Sequence, residues 1–207
     1  YTETLNESYQ LFHSAESEEK GIWYINSNPN RVIRIDENVY DVLKTVLARD
    51  DRTVFLGPIY EQYDNLFLCQ NDSDASNYDP LVNSSIRDYF SELISYVENP
   101  EHVDIALYED NRIQLKVSSE YLDFLQDNDV HNIIDLFWYE NACTLDYIDR
   151  HLQEEGYQNY ILSSTDGMLI DRNTQETTKL NFYVQNGNVI DLAMTIDTGG
   201  NYNAVSL

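Results

Sequence analysis

Along residues 2–15, Leu5, Tyr9 and Phe12 fall on one helical face, and "GIWYIN" soon after them reads as a short strand. Asp36, within "RIDEN", is placed to cap a helix on which Val39, Leu43, Val46 and Leu47 recur at i, i+4, i+7 and i+8. The longest apolar stripe, Ile86, Phe90, Leu93, Ile94 and Val97, predicts a helix over 86–98 with Ser85 and Asp88 as its capping box. "VDIALYEDNRIQLKV" then alternates on both sides of a polar tip, the pattern of a hairpin with one buried face. A second hairpin is predicted in "NFYVQNGNVIDLAM", where Asn186-Gly187 suits the positive φ angles of a type I′ turn. Between the hairpins, "NIIDLFWYENACTLDYIDRHL" (132–152) reads as a strand running into a helix of about 140–155, which Gly156 ends. "QNDSDASNYDPLVNSS" is a polar loop between two halves of one domain. The pattern predicts an α+β fold, a mixed or antiparallel sheet with flanking helices, as a single domain over 1–207.

Charge narrows the partners. With 37 acidic residues against 12 basic ones, a net charge of −25 repels phosphate backbones and anionic lipid, so nucleic acid is not an expected partner. A basic protein could be attracted, although the same charge equally serves solubility. No run approaches the roughly 18 apolar residues that span a bilayer. The chain begins at Tyr1 and not Met, which leaves a leader or anchor ahead of it open. Cys69 and Cys143 give no spacing pattern, and their redox state stays open.

Most chemical signatures fail on inspection. A calcium loop from Asp72 would need Gly at its sixth position and Glu at its twelfth, where Asn77 and Asn83 stand. His13, His102, His131 and His151 lack the spacing of metal sites. No G-x-S-x-G elbow, P-loop or G-x-G-x-x-G occurs. Gly199-Gly200 reads as a turn ending a strand or as an anion-binding turn. The 17 tyrosines are more simply packing residues than a ligand platform.

Several stretches share a pattern with one family. "DLFWYENACTLD" aligns without a gap to a motif of Asp, an apolar residue, Gly-Gly, Ile-Ala-Lys-Gly and a further Asp, keeping Asp135 and Asp146. Phe137 and Trp138 replace the two glycines, Asn141 the lysine and Ala142 the next glycine. "GIWYIN" keeps Ile25 and Asn26 of an early Leu-Asn strand end, and "VFLGPI" keeps Gly57 and Pro58, with Thr53 and Phe55 where Asp and Thr are usual. "YILSSTDGM" takes the place of a strand leading into Gly-Gly-Asp, and "TGGNYN" keeps Thr198, Gly200 and Tyr202 of a Thr-Ser-Gly-Asp-Tyr-Glu element. Over nearly its whole length the chain resembles the ApbE-type FAD:protein FMN transferases, which are often bacterial lipoproteins.

The resemblance implies an ApbE-like, T-fold-like domain lacking the family's first strand and its C-terminal metal-binding segment. It also implies an extracytoplasmic or cell-surface setting, and remnant cofactor positions at Asn26, Gly57, Asp135, Asp146, Thr198, Gly200 and Tyr202. Glycines at such a turn let backbone approach a diphosphate; Phe137 and Trp138 are expected to fill that space as core, and Glu140 without a nearby lysine sets the charge against FAD. The expectation is a non-catalytic binding or scaffold module with a protein partner and no bound cofactor. The alternative is a divergent flavin transferase or flavin-processing enzyme using FAD and Mg2+. An unrelated α+β domain is the third reading.

Overall fold

The structure, a computed structural model, describes residues 2–49, 52–69, 75–164, 168–172, 178–187 and 189–198. The fold is α+β, with helices beside small antiparallel sheets. Residues 9–140 form one compact unit, and the residues before and after them form a second. Helix α1 (Thr2–Phe12) begins in the second unit and ends in the first. Its buried positions are Thr4, Ser8, Leu11 and Phe12, whereas Leu5 and Tyr9 are exposed, so the face predicted from apolar spacing is rotated.

Within 9–140, "GIWYIN" is not a strand: Ile22–Asn26 form helix α2. Ile22, Ile25 and Asn26 are buried at i, i+3 and i+4, a helical spacing that so short an apolar run does not distinguish from a strand. Gly21 precedes it because a Cβ there would lie 2.2 Å from the Leu11 carbonyl oxygen. Strand β1 (Val32–Arg34) leads to helix α3 (Glu37–Leu47), where Asp36 caps as expected, its carboxylate accepting from Asn38 N–H at 2.8 Å. A 3₁₀ turn (Thr53–Leu56) runs into α4 (Gly57–Cys69), whose Pro58 suits a first helical turn. Helix α5 (Ser84–Val97) is capped by Asn83 and not by Ser85; it buries Leu93, Tyr96 and Val97 and leaves Ile94 exposed.

The first predicted hairpin is present as β2 (Val103–Tyr108) and β3 (Arg112–Val117), paired from Val103↔Val117 to Tyr108↔Arg112. Asp110 and Asn111 at its tip hold φ of 61° and 55°, a backbone conformation these residue types tolerate. β3 also pairs with β1, giving the sheet order β1-β3-β2. Helix α6 (Ser119–Asp127) follows, with the Ser118 hydroxyl accepting from Tyr121 N–H. The stretch from 131 to 139 contains no strand, which corrects the strand-to-helix reading of 132–152: its N–H and C=O groups bond to side chains and to isolated carbonyls, not to a ladder.

In the second unit, α7 (Glu140–Glu154) ends at Gly156, which holds φ of 87° while Tyr157 N–H closes on Leu152 O at 2.9 Å. Two antiparallel pairs follow: β4 (Ile161–Ser163) with β5 (Leu169–Asp171), and β6 (Thr178–Asn186) with β7 (Val189–Thr198). Asn186 pairs with Val189 and so belongs to the ladder, which moves the turn one position later than predicted, with Gly187 at φ of 63°. Asp149 of α7 is buried and receives both Nε and Nη2 of Arg172, at 2.9 and 2.7 Å, together with the Tyr160 hydroxyl and the Gln153 amide. That network ties the strand pair to the helix. Among the described residues, no helix is long and apolar enough to cross a membrane.

Candidate functional site

Three of the positions singled out in the sequence, Asn26, Gly57 and Asp135, converge on residues 131–136. Ile133, Ile134 and Leu136 are buried there, so the neighbouring backbone groups must find partners away from water. Asn26 supplies two: its amide donates to Ile134 O and its carbonyl accepts from Ile134 N–H, both at 2.9 Å. Asp135 N–H donates to Val54 O at 2.9 Å. From α4, Glu61 accepts from the N–H groups of His131 and Asn132, each at 3.2 Å. Gly57 permits this approach, since a Cβ on it would stand 2.4 Å from Asn132 O. The Ser14 hydroxyl donates to the Asp135 carboxylate at 2.7 Å.

Beyond this segment the chain turns outward. Leu136 O accepts from the N–H groups of Tyr139 and Glu140, and the turn projects Phe137 and Trp138 to the surface, 40% and 61% exposed. They therefore do not fill a pocket as core, contrary to the expectation: both follow the last buried residue of the segment, Leu136, in the turn that its carbonyl closes. Phe137 stacks on Tyr60 of α4 with centroids 4.7 Å apart and rings inclined 19°. Trp138 stands edge-on to Phe137 at 5.5 Å.

Beside these rings is a cleft of about 450 Å³, lined by Tyr60 and Phe137, by Glu61, Asp135 and Glu140, and by His13 at the end of α1. Among the described lining residues, three carboxylates face one histidine and no Lys or Arg. Burial raises the Glu140 carboxyl above its ordinary pKa; His13 opposes the shift and Asp135 adds to it. The cleft thus favours neutralisation of its acid groups by a proton or a cation.

Asp146 lies on the solvent side of α7, in the second unit. The Thr198 side chain, Gly200 and Tyr202 lie outside the described residues, as do the Cys69 side chain and the start of the polar loop at 70–74; Cys143 is buried. Sequence spacing missed Ser14, Tyr60 and Glu61. A signal for the last two was present: Pro58 marks a helix start, and on that helix 57, 60 and 61 share one face.

No three His, Cys, Asp or Glu side chains come together as a metal site among the described residues. The cleft also does not fit a diphosphate, because its carboxylates would oppose that charge at short range and no Lys or Arg lines it. Compared with known proteins, the chain matches no family model and no curated sequence.

Proposed function

We propose that this chain is a binding or scaffold module of ApbE-like descent that acts through a protein partner and not through turnover. The observation that carries this reading is the role of Asn26, Gly57 and Asp135. All three hold the backbone of residues 131–136 in place, and the cleft beside that segment is acidic and aromatic. A flavin diphosphate would meet Glu61, Asp135 and Glu140 with His13, and no Lys or Arg, to offset them. A divergent FAD- and Mg2+-dependent enzyme is the second reading. Calorimetric titration with FAD, with and without Mg2+, separates the two. No heat of binding is expected up to about 100 μM. Micromolar affinity, or transfer of FMN to a threonine-containing acceptor peptide, would replace the module reading with the enzyme one.

A further inference from the structure

The cleft beside Phe137 has features that select one kind of occupant. Its carboxylates are fixed in position: Asp135 is held by Ser14 at 2.7 Å and Glu61 by two backbone N–H groups. Its aromatic lining is preassembled: Phe137 stacks on Tyr60, and Trp138, edge-on to both rings, adjoins that pair from outside the lining. A part-exposed ring such as Phe137, backed by the buried Tyr60 and set beside carboxylates, suits a guanidinium or ammonium group, which draws on both the ring quadrupole and the opposite charge. Arg exploits this pairing better than Lys, because its flat fork stacks on a ring while donating to a carboxylate.

We propose that the Phe137 cleft receives an arginine side chain of a basic segment on a partner protein, the guanidinium lying against the aromatic wall and bonding to Glu140 and Asp135. This rests on the binding-module reading and names the chemistry of its partner. Charge complementarity supports that choice over an acidic or neutral peptide, since the chain carries a net charge of −25 and the cleft repeats that sign locally. A second acidic hollow, lined by Glu16, Glu18 and Glu19 with Trp23 and Tyr24, has aromatic side chains adjacent in sequence in place of a stacked pair brought together from two elements, and serves as an internal control.

The chain has two tryptophans: Trp23 lines the second hollow and Trp138 packs edge-on against Phe137 of the first, so their indole N–H resonances report separately on the two once assigned with a Trp138→Phe variant. Titration with N-acetyl-arginine amide is expected to shift the Trp138 resonance saturably, and the uncharged analogue N-acetyl-citrulline amide is expected to leave it in place. Glu140→Gln should weaken the response about five-fold, as for loss of one charge contact, and Phe137→Ala by at least as much. Both are near-surface changes, and unchanged dispersion of the remaining spectrum shows that the variants are folded. Equal shifts with arginine and citrulline amides, or equal responses at Trp23 and Trp138, would overturn the proposal. An absent Trp138 response would overturn it as well. Failure here together with no FAD binding would leave the module reading standing without this ligand; FAD binding would remove that reading itself.

Discussion

Asn26 does the work of a missing strand neighbour. Its side-chain amide presents to Ile134 the donor and acceptor that a paired backbone would present, at a place where Ile134 is fully buried. Asn30 does the same for Val117, at 2.8 and 2.9 Å, from a backbone with φ of 63°. Asn26→Ala strands a buried N–H and a buried C=O, a loss of ~1–3 kcal/mol for each group, and chemical denaturation should reveal it. Asn26→Asp keeps the acceptor but loses the donor and is expected to be worse than a single unpaired group. The opposite outcome holds for Phe137 and Trp138. Truncating a buried aromatic costs roughly 3–5 kcal/mol, but at 40% and 61% exposure each Ala variant should lose about 1 kcal/mol or less in the same measurement. Asp149 gives a pH dependence of definite sign. Burial alone would raise its carboxyl pKa, yet hydrogen bonds from Arg172 and Tyr160 lower it below the ordinary value. A lowered folded-state pKa contributes stability above the unfolded value near 3.9, and that contribution is lost as the pH falls through the folded value. Asp149→Asn should therefore be roughly 2–4 kcal/mol less stable at pH 7, a buried-pair figure discounted for the 30% exposure of Arg172. The gap between variant and parent should narrow on acidification below pH 4.

The elements differ in how firmly they are held. β2 and β3 bury Val103, Ile105, Ile113, Leu115 and Val117 on one side of a three-stranded sheet, whereas β6 and β7 form a two-stranded ribbon with Tyr183, Ile190 and Leu192 more than half exposed. Isolated two-stranded ribbons are marginal in water. Amide exchange should accordingly be markedly faster in β6 and β7 than in β2 and β3, and comparable protection in both hairpins would contradict that ranking. Legibility in the sequence follows the same physical lines. α3, α7 and the β2–β3 hairpin were readable because a second signal accompanies the apolar pattern in each: the Asp36 cap in α3, the Gly156 terminator in α7 and the polar tip of the hairpin. α2 was misread because five apolar-rich residues fit either period, and its helical spacing shows only in which of them are buried, Ile22, Ile25 and Asn26. The irregular 131–139 segment was misread as a strand because Ile133, Ile134 and Leu136 are strand-like in composition, while the groups that satisfy their backbone lie some 70 to 110 residues away. For that reason Asn26, Gly57 and Asp135 were legible as positions but not as a structural clamp, and the exposure of Phe137 and Trp138 was hidden in a turn with no glycine to announce it.

At the scale of the whole molecule, the net charge of −25 acts on the fold and on binding with opposite signs. Within the folded chain the excess carboxylates repel one another, and each is brought closer to its neighbours than in the unfolded state. Salt screens this repulsion over a Debye length of about 10 Å at 0.1 M, so moving from about 0.01 M to 0.15 M sodium chloride should stabilise the fold. Relief of roughly 1 kcal/mol would raise the Tm of a chain this long by about 2–4 °C. Specific ion pairs resist the trend little, since Arg172–Asp149 is mostly shielded from solvent and His131–Asp129 is exposed and weak. A cationic ligand in the Phe137 cleft is attracted by the same field, so its affinity should fall over that salt range while the melting temperature rises. Calorimetric melts and arginine-amide titrations in the same buffers test both slopes together. A Tm that falls with salt would mean that attractive pairs outweigh repulsion in the folded chain. Binding that strengthens with salt would mean that the rings, and not the carboxylates, hold the ligand.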